Sequence, residues 1–379
     1  MKVGIITAHW PHNYGAVLQT YALSKTLENL GHESEVIHFM TDFQEKHLHM
    51  YPPPSEMGLK GLLRSVRRLY QNACHYGEWK QRWQNFEDFK LEYLNISSKR
   101  YRTHDELLKN IPRYDAYICG SDQIWRSIKG STTRFDPAYY LCFAKDTNGR
   151  RIAYAPSFGA DYIPDELKTE YKKRILDIQF LSVRENQGRN IIKELTGREA
   201  KVVLDPTLLL PVSEWRRMMK EPSMDVPYIL VYLVAGDRSE MGELIAQVKQ
   251  KAKGHKVVAL TSAAVTHRIA NVDIVIPTAH PIEFLGWFSR ASFVCTSSYH
   301  GMIFSLIFRK PFYAVMPQRI SSRLTSLGQR LGLSSRLMTD KIEISENPFD
   351  CDFNQADQNY QFEKEASIQF LTNALGMRE

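Results

Sequence analysis

Cysteine is scarce and poorly spaced for structural chemistry. The 379 residues hold five (Cys74, Cys119, Cys142, Cys295 and Cys351), an odd number, and no two form a CxxC pair. That argues against a disulfide framework or a thiolate zinc site and makes a reducing cytoplasm the simplest setting. Long apolar runs are missing as well. None approaches the roughly 18–20 residues that a bilayer-spanning helix needs, and Met1–Ala8 is too short for a signal peptide and reads as a β-strand. Without a GxGxxG, a dinucleotide site lacks support. No metal-ligand spacing, internal repeat or low-complexity tract occurs. Nor is one sign of charge in strong excess: 49 Lys and Arg against 42 Asp and Glu leave +7. That balance suits phosphorylated or acidic ligands, or an anionic membrane surface, and gives no argument for nucleic acid.

What is present is an ordinary globular composition, 43% hydrophobic and 24% charged, in a chain long enough for two cores. A strand at residues 3–8, a loop His9–Gly15, a helix from about Ala16 to Gly31 and a strand at residues 35–39 make a βαβ start. Residues 42–110 break that rhythm. Between Leu59 and Arg102 stand ten Lys and Arg against four Asp and Glu, interleaved with aromatic residues. This stretch predicts one or two helices, with a basic face that could touch an anionic membrane surface. Alternation returns with strands at 116–119, 151–155, 180–183 and 202–204 and helices near 165–178 and 188–197. After a hinge at Asp205-Pro206 to Pro211, strands at 228–234, 257–260, 273–276, 293–296 and 312–315 alternate with helices. The expected fold is α/β: two Rossmann-like domains whose parallel sheets face a central cleft. Residues 1–208 form the acceptor side with its insertion at about 42–110, residues 212–358 the donor side, and residues 359–379 a last helix.

Ligands in such folds gather where strand C-termini meet helix N-termini. The run Cys295–Pro311 is such a corner. A strand passes through Ser297 and Ser298 to His300-Gly301 and into an apolar helix, whose first N–H groups favour an anion. His300 can move a proton or donate to phosphate near neutral pH, though a core histidine satisfied by backbone would look alike. Arg184, just past the strand at 180–183, suits bidentate capture of a carboxylate or phosphate, unless it serves a structural salt bridge. Arg323 opens the next helix as a second candidate clamp. On the acceptor side, Ser121, Asp122 and Gln123 offer hydroxyl, carboxylate and amide groups to sugar hydroxyls, and Trp125 a stacking face. An Asp cap with a core Trp would look the same. Asn13, Tyr14 and Gly15 crowd the first βα corner, where Asn13 could equally be a helix cap.

Five segments then occur in one order: Asn13-Tyr-Gly-Ala-Val-Leu-Gln19, Gly120-Ser-Asp-Gln-Ile-Trp125, Ser182-Val-Arg-Glu185, Asp205-Pro206, and Ser298-Tyr-His-Gly301 with Lys310-Pro-Phe312. Together they resemble the polysaccharide pyruvyl transferase family, over nearly the whole chain. The resemblance implies a GT-B-like fold and transfer of a pyruvyl group from phosphoenolpyruvate to sugar hydroxyls of a cell-surface polysaccharide or its precursor. Arg184 and His300 match the residues of donor binding and catalysis. One departure stands out: studied members carry Arg-Leu before the histidine, where this chain has Ser298-Tyr299.

These readings combine into an expected mechanism. His300 supplies acid, Asp122 base, and Arg184, Ser298, Gly301 and Arg323 the donor's anion contacts. No redox cofactor is required, and the acceptor is a free sugar or a lipid-linked oligosaccharide, met in the cytoplasm or at the inner membrane face. A GT-B glycosyltransferase using a nucleotide sugar is the rival, although the second half lacks the Glu-x7-Glu pair of many retaining enzymes. A non-catalytic component of a glycan-assembly complex is a further alternative.

Overall fold

The computed structural model describes residues 1–48, 66, 70, 75–126, 135–233, 238–261, 270–316, 322–339 and 342–376. Much of the predicted helical stretch at 59–74 lies outside these residues. Each half is a six-stranded parallel sheet. The first takes the order β2-β1-β3-β4-β5-β6, with β1 Lys2–Ile6, β2 Glu33–Val36, β3 Ala116–Cys119, β4 Arg150–Ala153, β5 Phe180–Val183 and β6 Lys201–Val202. The second takes the order β12-β11-β10-β7-β8-β9, with β7 Tyr228–Leu233, β8 Lys256–Thr261, β9 Ile274–Ile276, β10 Phe293–Thr296, β11 Phe312–Val315 and β12 Leu337–Met338. Strands buried on both faces should read as continuous apolar runs. Those at the sheet centres do: Ala-Tyr-Ile-Cys in β3 and Phe-Val-Cys-Thr in β10 are buried at every position. This is the expected α/β pair of Rossmann-like units.

Strand order locates the site. Chain direction along the first sheet reverses between β1 and β3, and along the second between β7 and β10. Crevices open at such reversals, outside the strands' C-terminal ends. The loops leaving β1 and β3 carry His9–Gly15 and Gly120–Trp125, and the loop leaving β10 leads to His300.

Helices fasten the halves together. Helix α1 (Tyr14–Asn29) starts as capping chemistry requires, the Asn13 side chain accepting from the Ala16 N–H at 3.2 Å. It is buried on nearly all sides because it packs against its own sheet and the second unit. Short helices α2 (Asp42–Leu48) and α4 (His104–Lys109) flank α3 (Tyr76–Tyr93) in chain order, and α5 (Asp165–Leu176), α6 (Asn186–Thr196) and α7 (Val212–Met218) follow. In the second unit, α8 (Arg238–Lys251), α9 (Pro281–Arg290), α10 (Tyr299–Ile307) and α11 (Ser322–Leu331) alternate with the strands, and α12 (Asn354–Leu375) closes the chain. It starts earlier than the tail helix expected from about Asn359, and it returns to the first sheet. Its Ser367 hydroxyl accepts from Leu204 N–H at 2.9 Å, and its Ala374 carbonyl accepts from Arg150 at 3.0 Å.

Helix α3 differs from the expected basic face. Positions 82, 86, 89 and 90 share one side of a helix, and there Arg82, Phe86, Phe89 and Lys90 are all buried. Arg82 joins the units. Its guanidinium donates to Tyr14 Oη at 3.1 Å, to the His12 carbonyl at 3.0 Å and to the Pro277 carbonyl at 3.1 Å. Tyr14 in turn stacks on Phe284 of α9 (4.4 Å, 14°) and donates to the Ala279 carbonyl at 2.8 Å. No helix among the described residues is long and apolar enough to cross a membrane.

Arg82→Ala should therefore lower unfolding stability by roughly 3 kcal/mol, since buried acceptors lose a charged donor. Arg82→Lys should recover little, because one ammonium cannot reproduce the fork. Equilibrium denaturation with an unchanged midpoint in Arg82→Ala would contradict this role.

Candidate functional site

The two reversal points face each other, and their loops interlock through Asp205. This residue caps a short turn that follows β6, its Oδ1 accepting from Thr207 N–H at 3.1 Å and from the Thr207 hydroxyl at 2.7 Å. Its Oδ2 accepts from Arg184 Nη1 at 2.8 Å and from the Ser121 hydroxyl at 3.2 Å. The same oxygen stands 3.6 Å from His300 Nε2 across the cleft, too long for a hydrogen bond. Burial pushes the Asp205 carboxyl up, but His300, Arg184 and Thr207 together hold it well below the usual carboxylate range.

Arg184 extends from the end of β5 and is wholly buried. Its second nitrogen donates to Asp122 Oδ1 at 3.1 Å, and its guanidinium lies 4.4 Å from the Tyr299 ring centroid. Both ends of the fork are thus matched to carboxylates. Burial disfavours the charge, yet Asp122, Tyr299 and Asp205 outweigh it and raise the guanidinium above its ordinary value. Asp122, in the left-handed backbone region at φ 72, is pushed up by burial but ends below its usual range because of Arg184, His300 and Arg323.

Arg323 is the opposite case. It sits on the first turn of α11, half-buried, its guanidinium 5.9 Å from the Tyr299 ring centroid. No carboxylate pairs with it among the described residues, and its Nε has no partner. Burial first, then the like charge of Arg184, lower it to about 10. Glu185 lies one residue past Arg184. Its Oε1 accepts from the Ser157 hydroxyl at 2.9 Å and Phe158 N–H at 3.1 Å, and burial raises its carboxyl.

Two close approaches need glycine. A Cβ at Gly15 would fall 2.1 Å from His300 Nδ1, so this backbone forms the wall against which the imidazole rests. A Cβ at Gly301 would lie 2.1 Å from Thr296 Oγ1, which accepts from Ser298 N–H at 3.0 Å. The N–H groups of Tyr299, His300 and Gly301 open α10 beneath His300, as the orphan donors of a helix start do.

The structure thus brings together Asp122, Arg184, Ser298, His300, Gly301, Arg323 and Gly15. Other expected site residues have structural partners. Asn13 caps α1, and Tyr14 is buried in the contact between units. Ser121 is buried, with its N–H donating to Gln19 Oε1 at 3.1 Å and its hydroxyl held by Ala155 and Asp205. Gln123 accepts from Arg126 at 3.2 Å. Trp125 is a core side chain, stacked on Tyr140 at 5.1 Å and donating to the Tyr139 carbonyl at 3.0 Å. It presents no free face. His9 is buried and pushed down to about 3 by that burial. Sequence reasoning missed Tyr299, whose ring is near two guanidiniums, and the charge-holding role of Asp205. The Asp-Pro pair was visible, but its partners lie in distant segments. No group of three or more potential metal ligands occurs among the described residues.

Removing Asp205 would leave Arg184 half matched in a dry environment. Asp205→Asn should cost about 3–5 kcal/mol of unfolding free energy. A carboxyl lowered by folding contributes stability above its unfolded value near 3.8 and loses it as pH falls further. The gap between wild type and variant should therefore be full at neutral pH and narrow below about pH 4. Denaturation curves with a gap independent of pH would contradict the charge assignment.

Comparison with known proteins bears on these residues. Solved structures with overall similarity include UDP-GlcNAc 2-epimerase from Neisseria meningitidis (10% identity, 99% of each chain, TM-score 0.49). Others are the E. coli heptosyltransferase WaaC with ADP (14% identity, 96% of this chain and 99% of that one, TM-score 0.41) and a glycosyltransferase from Rickettsia africae (11% identity, 99% and 94%, TM-score 0.48). No curated protein sequence matches. A family model does: polysaccharide pyruvyl transferase, over residues 13–319, a span that holds the Asn13 cap, Asp122, Arg184, Asp205 and His300. The chain belongs to the polysaccharide pyruvyl transferase family.

Proposed function

We propose that the protein transfers a pyruvyl group from phosphoenolpyruvate to two hydroxyls of a sugar in a polysaccharide or its precursor, forming a ketal. The observation that carries this reading is Arg323: a half-buried guanidinium with no ion-pair partner among the described residues, 5.9 Å from the ring of Tyr299, the residue next to His300 at the start of α10. A partly desolvated cation with no carboxylate in direct contact favours an anion beside it. Phosphoenolpyruvate carries a carboxylate and a phosphate. Arg323 and the helix start would grip one of them, which gives this chain a cation where Ser298 and Tyr299 replace the family's Arg-Leu.

Arg184 then has a different task from the expected direct clamp. Matched by Asp122 and Asp205, it carries no free charge for a donor. It fixes the Tyr299 ring and both aspartates, and so shapes the pocket wall. His300, with Gly15 behind it and Asp205 before it, is placed to deliver a proton. In the reaction the donor's methylene carbon gains a proton from His300, and a sugar hydroxyl oxygen bonds to the adjacent carbon as its own proton replaces the one His300 gave up. The bond from that carbon to the phosphate oxygen breaks, and a second hydroxyl closes the ketal as its proton leaves with phosphate. Asp122, held below its usual range, is a weak base. It suits accepting a hydrogen bond from an acceptor hydroxyl better than removing a proton outright.

The test is phosphate release from phosphoenolpyruvate with candidate sugars, read with a pyruvyl-sized mass gain on the sugar. Turnover of nucleotide sugars alone would overturn the reading. Arg323→Ala should raise KM for phosphoenolpyruvate about tenfold to a hundredfold while leaving the thermal midpoint unchanged or higher, because an unsatisfied charge is removed. Donor affinity in the wild type should be flat near neutrality and fall as pH rises through about 10, where the protonated guanidinium is lost. His300→Asn should lower kcat by about 10²–10⁴ with little change in KM. An Arg323→Ala enzyme with an unchanged KM would remove Arg323 from the donor site.

A further inference from the structure

Side chains from three segments of the chain meet on one aromatic ring in the cleft. Tyr299 is the first residue of α10. The Arg184 guanidinium lies 4.4 Å from its ring centroid and the Arg323 guanidinium 5.9 Å from it. The imidazole of His300 meets the same ring edge to face, with centroids 5.5 Å apart and planes at 87°. Tyr299 is buried, only 5% exposed.

The two guanidiniums depend on this ring to different degrees. Arg184 is held by Asp205 at 2.8 Å and by Asp122 at 3.1 Å. Two charge-assisted bonds outweigh what one aromatic face adds. Arg323 has no ion pair and no partner for its Nε among the described residues. A long cationic side chain without an anchor samples many rotamers, and that freedom is lost when an anion binds it. A ring within about 6 Å attracts the guanidinium and narrows the choice. Tyr299 can serve because it is itself fixed. The turn before it is pinned by the Ser298 N–H donating to Thr296 Oγ1 at 3.0 Å, and Arg184, locked by two carboxylates, lies over its face.

We propose that Tyr299 is a positioning residue of the donor site: its ring gives one fixed surface to Arg323, which takes the donor's anionic group, and to His300, which supplies the proton. The inference rests on the donor reading above for the identity of the anion. It adds the reason an arginine with no carboxylate in contact is held ready for that anion. All these contacts run through the ring rather than the hydroxyl. An aliphatic side chain of similar bulk would fill the space and offer no electron-rich face.

The experiment is a double-mutant cycle on phosphoenolpyruvate binding, read by isothermal titration of the full chain without acceptor. Tyr299→Leu should weaken binding about threefold to tenfold, the range that one cation–π contact supports. Tyr299→Phe keeps the ring and should stay within about twofold of wild type. In an Arg323→Ala background, Tyr299→Leu should change the affinity by less than about twofold, because the ring then has no free guanidinium to hold. Circular dichroism shows whether each variant folds. Should the leucine variant fail to fold, Tyr299→Met takes its place in the cycle, since an unbranched chain adapts to irregular space. The inference alone is overturned, and the donor reading kept, by a Tyr299→Leu affinity equal to wild type or by Tyr299→Phe as weak as Tyr299→Leu. A loss that persists undiminished in the Arg323→Ala background would do the same, since the ring would then act through Arg184. Wild-type protein that takes up no phosphoenolpyruvate, or that binds it equally well after Arg323→Ala, would remove the Arg323 reading and this inference together.

Discussion

A single buried carboxylate organises the region between the two sheets. Asp205 has no solvent to sustain its charge, so it is sustained by Thr207 on one oxygen and by Arg184 and Ser121 on the other. That arrangement fixes more than the aspartate. It orients Arg184, whose remaining nitrogen positions Asp122, and whose flat face settles against Tyr299. The first unit's strand ends and the second unit's helix start are tied to one charge network. Buried ion pairs contribute little net stability because desolvation opposes attraction. Their value here is geometric: the network has few ways to be satisfied.

The two arginines divide the electrostatic work. One is saturated by carboxylates and acts as framework. The other has no carboxylate in direct contact among the described residues and is lowered by burial and by its neighbour. Proteins tolerate such local disagreements with good packing and pairing where function needs them. The Tyr299 ring lies within reach of both guanidiniums and attracts each through its electron-rich face.

Much of the architecture could be read from residue order. Short apolar strands ending in Gly, Ser or Asp and alternating with helices specify parallel sheets, and the strand ends pointed to His300 and Arg184. What escaped the reading has physical causes. Helix α3 has an i, i+4, i+7 face, but Arg82 and Lys90 lie on it, and charge there suggested solvent rather than a joint between units. Trp125 stands in a polar loop segment that sequence cannot distinguish from a binding platform, yet its indole N–H finds a carbonyl inside the core. The Arg184 pairings reach 62 residues back to Asp122 and 21 residues forward to Asp205. No local pattern announces such contacts, so a residue expected to meet ligand directly is found already engaged.

The contact of Gly15 with His300 carries a consequence for timing. The imidazole belongs to one unit, while the backbone it leans on and the aspartate it faces belong to the other. A small separation of the halves would strip the histidine of its support and let water surround it. On the proposed reading, such a separation would take the proton donor away from the site. The same contact therefore ties the placement of the imidazole to the fit between the two units.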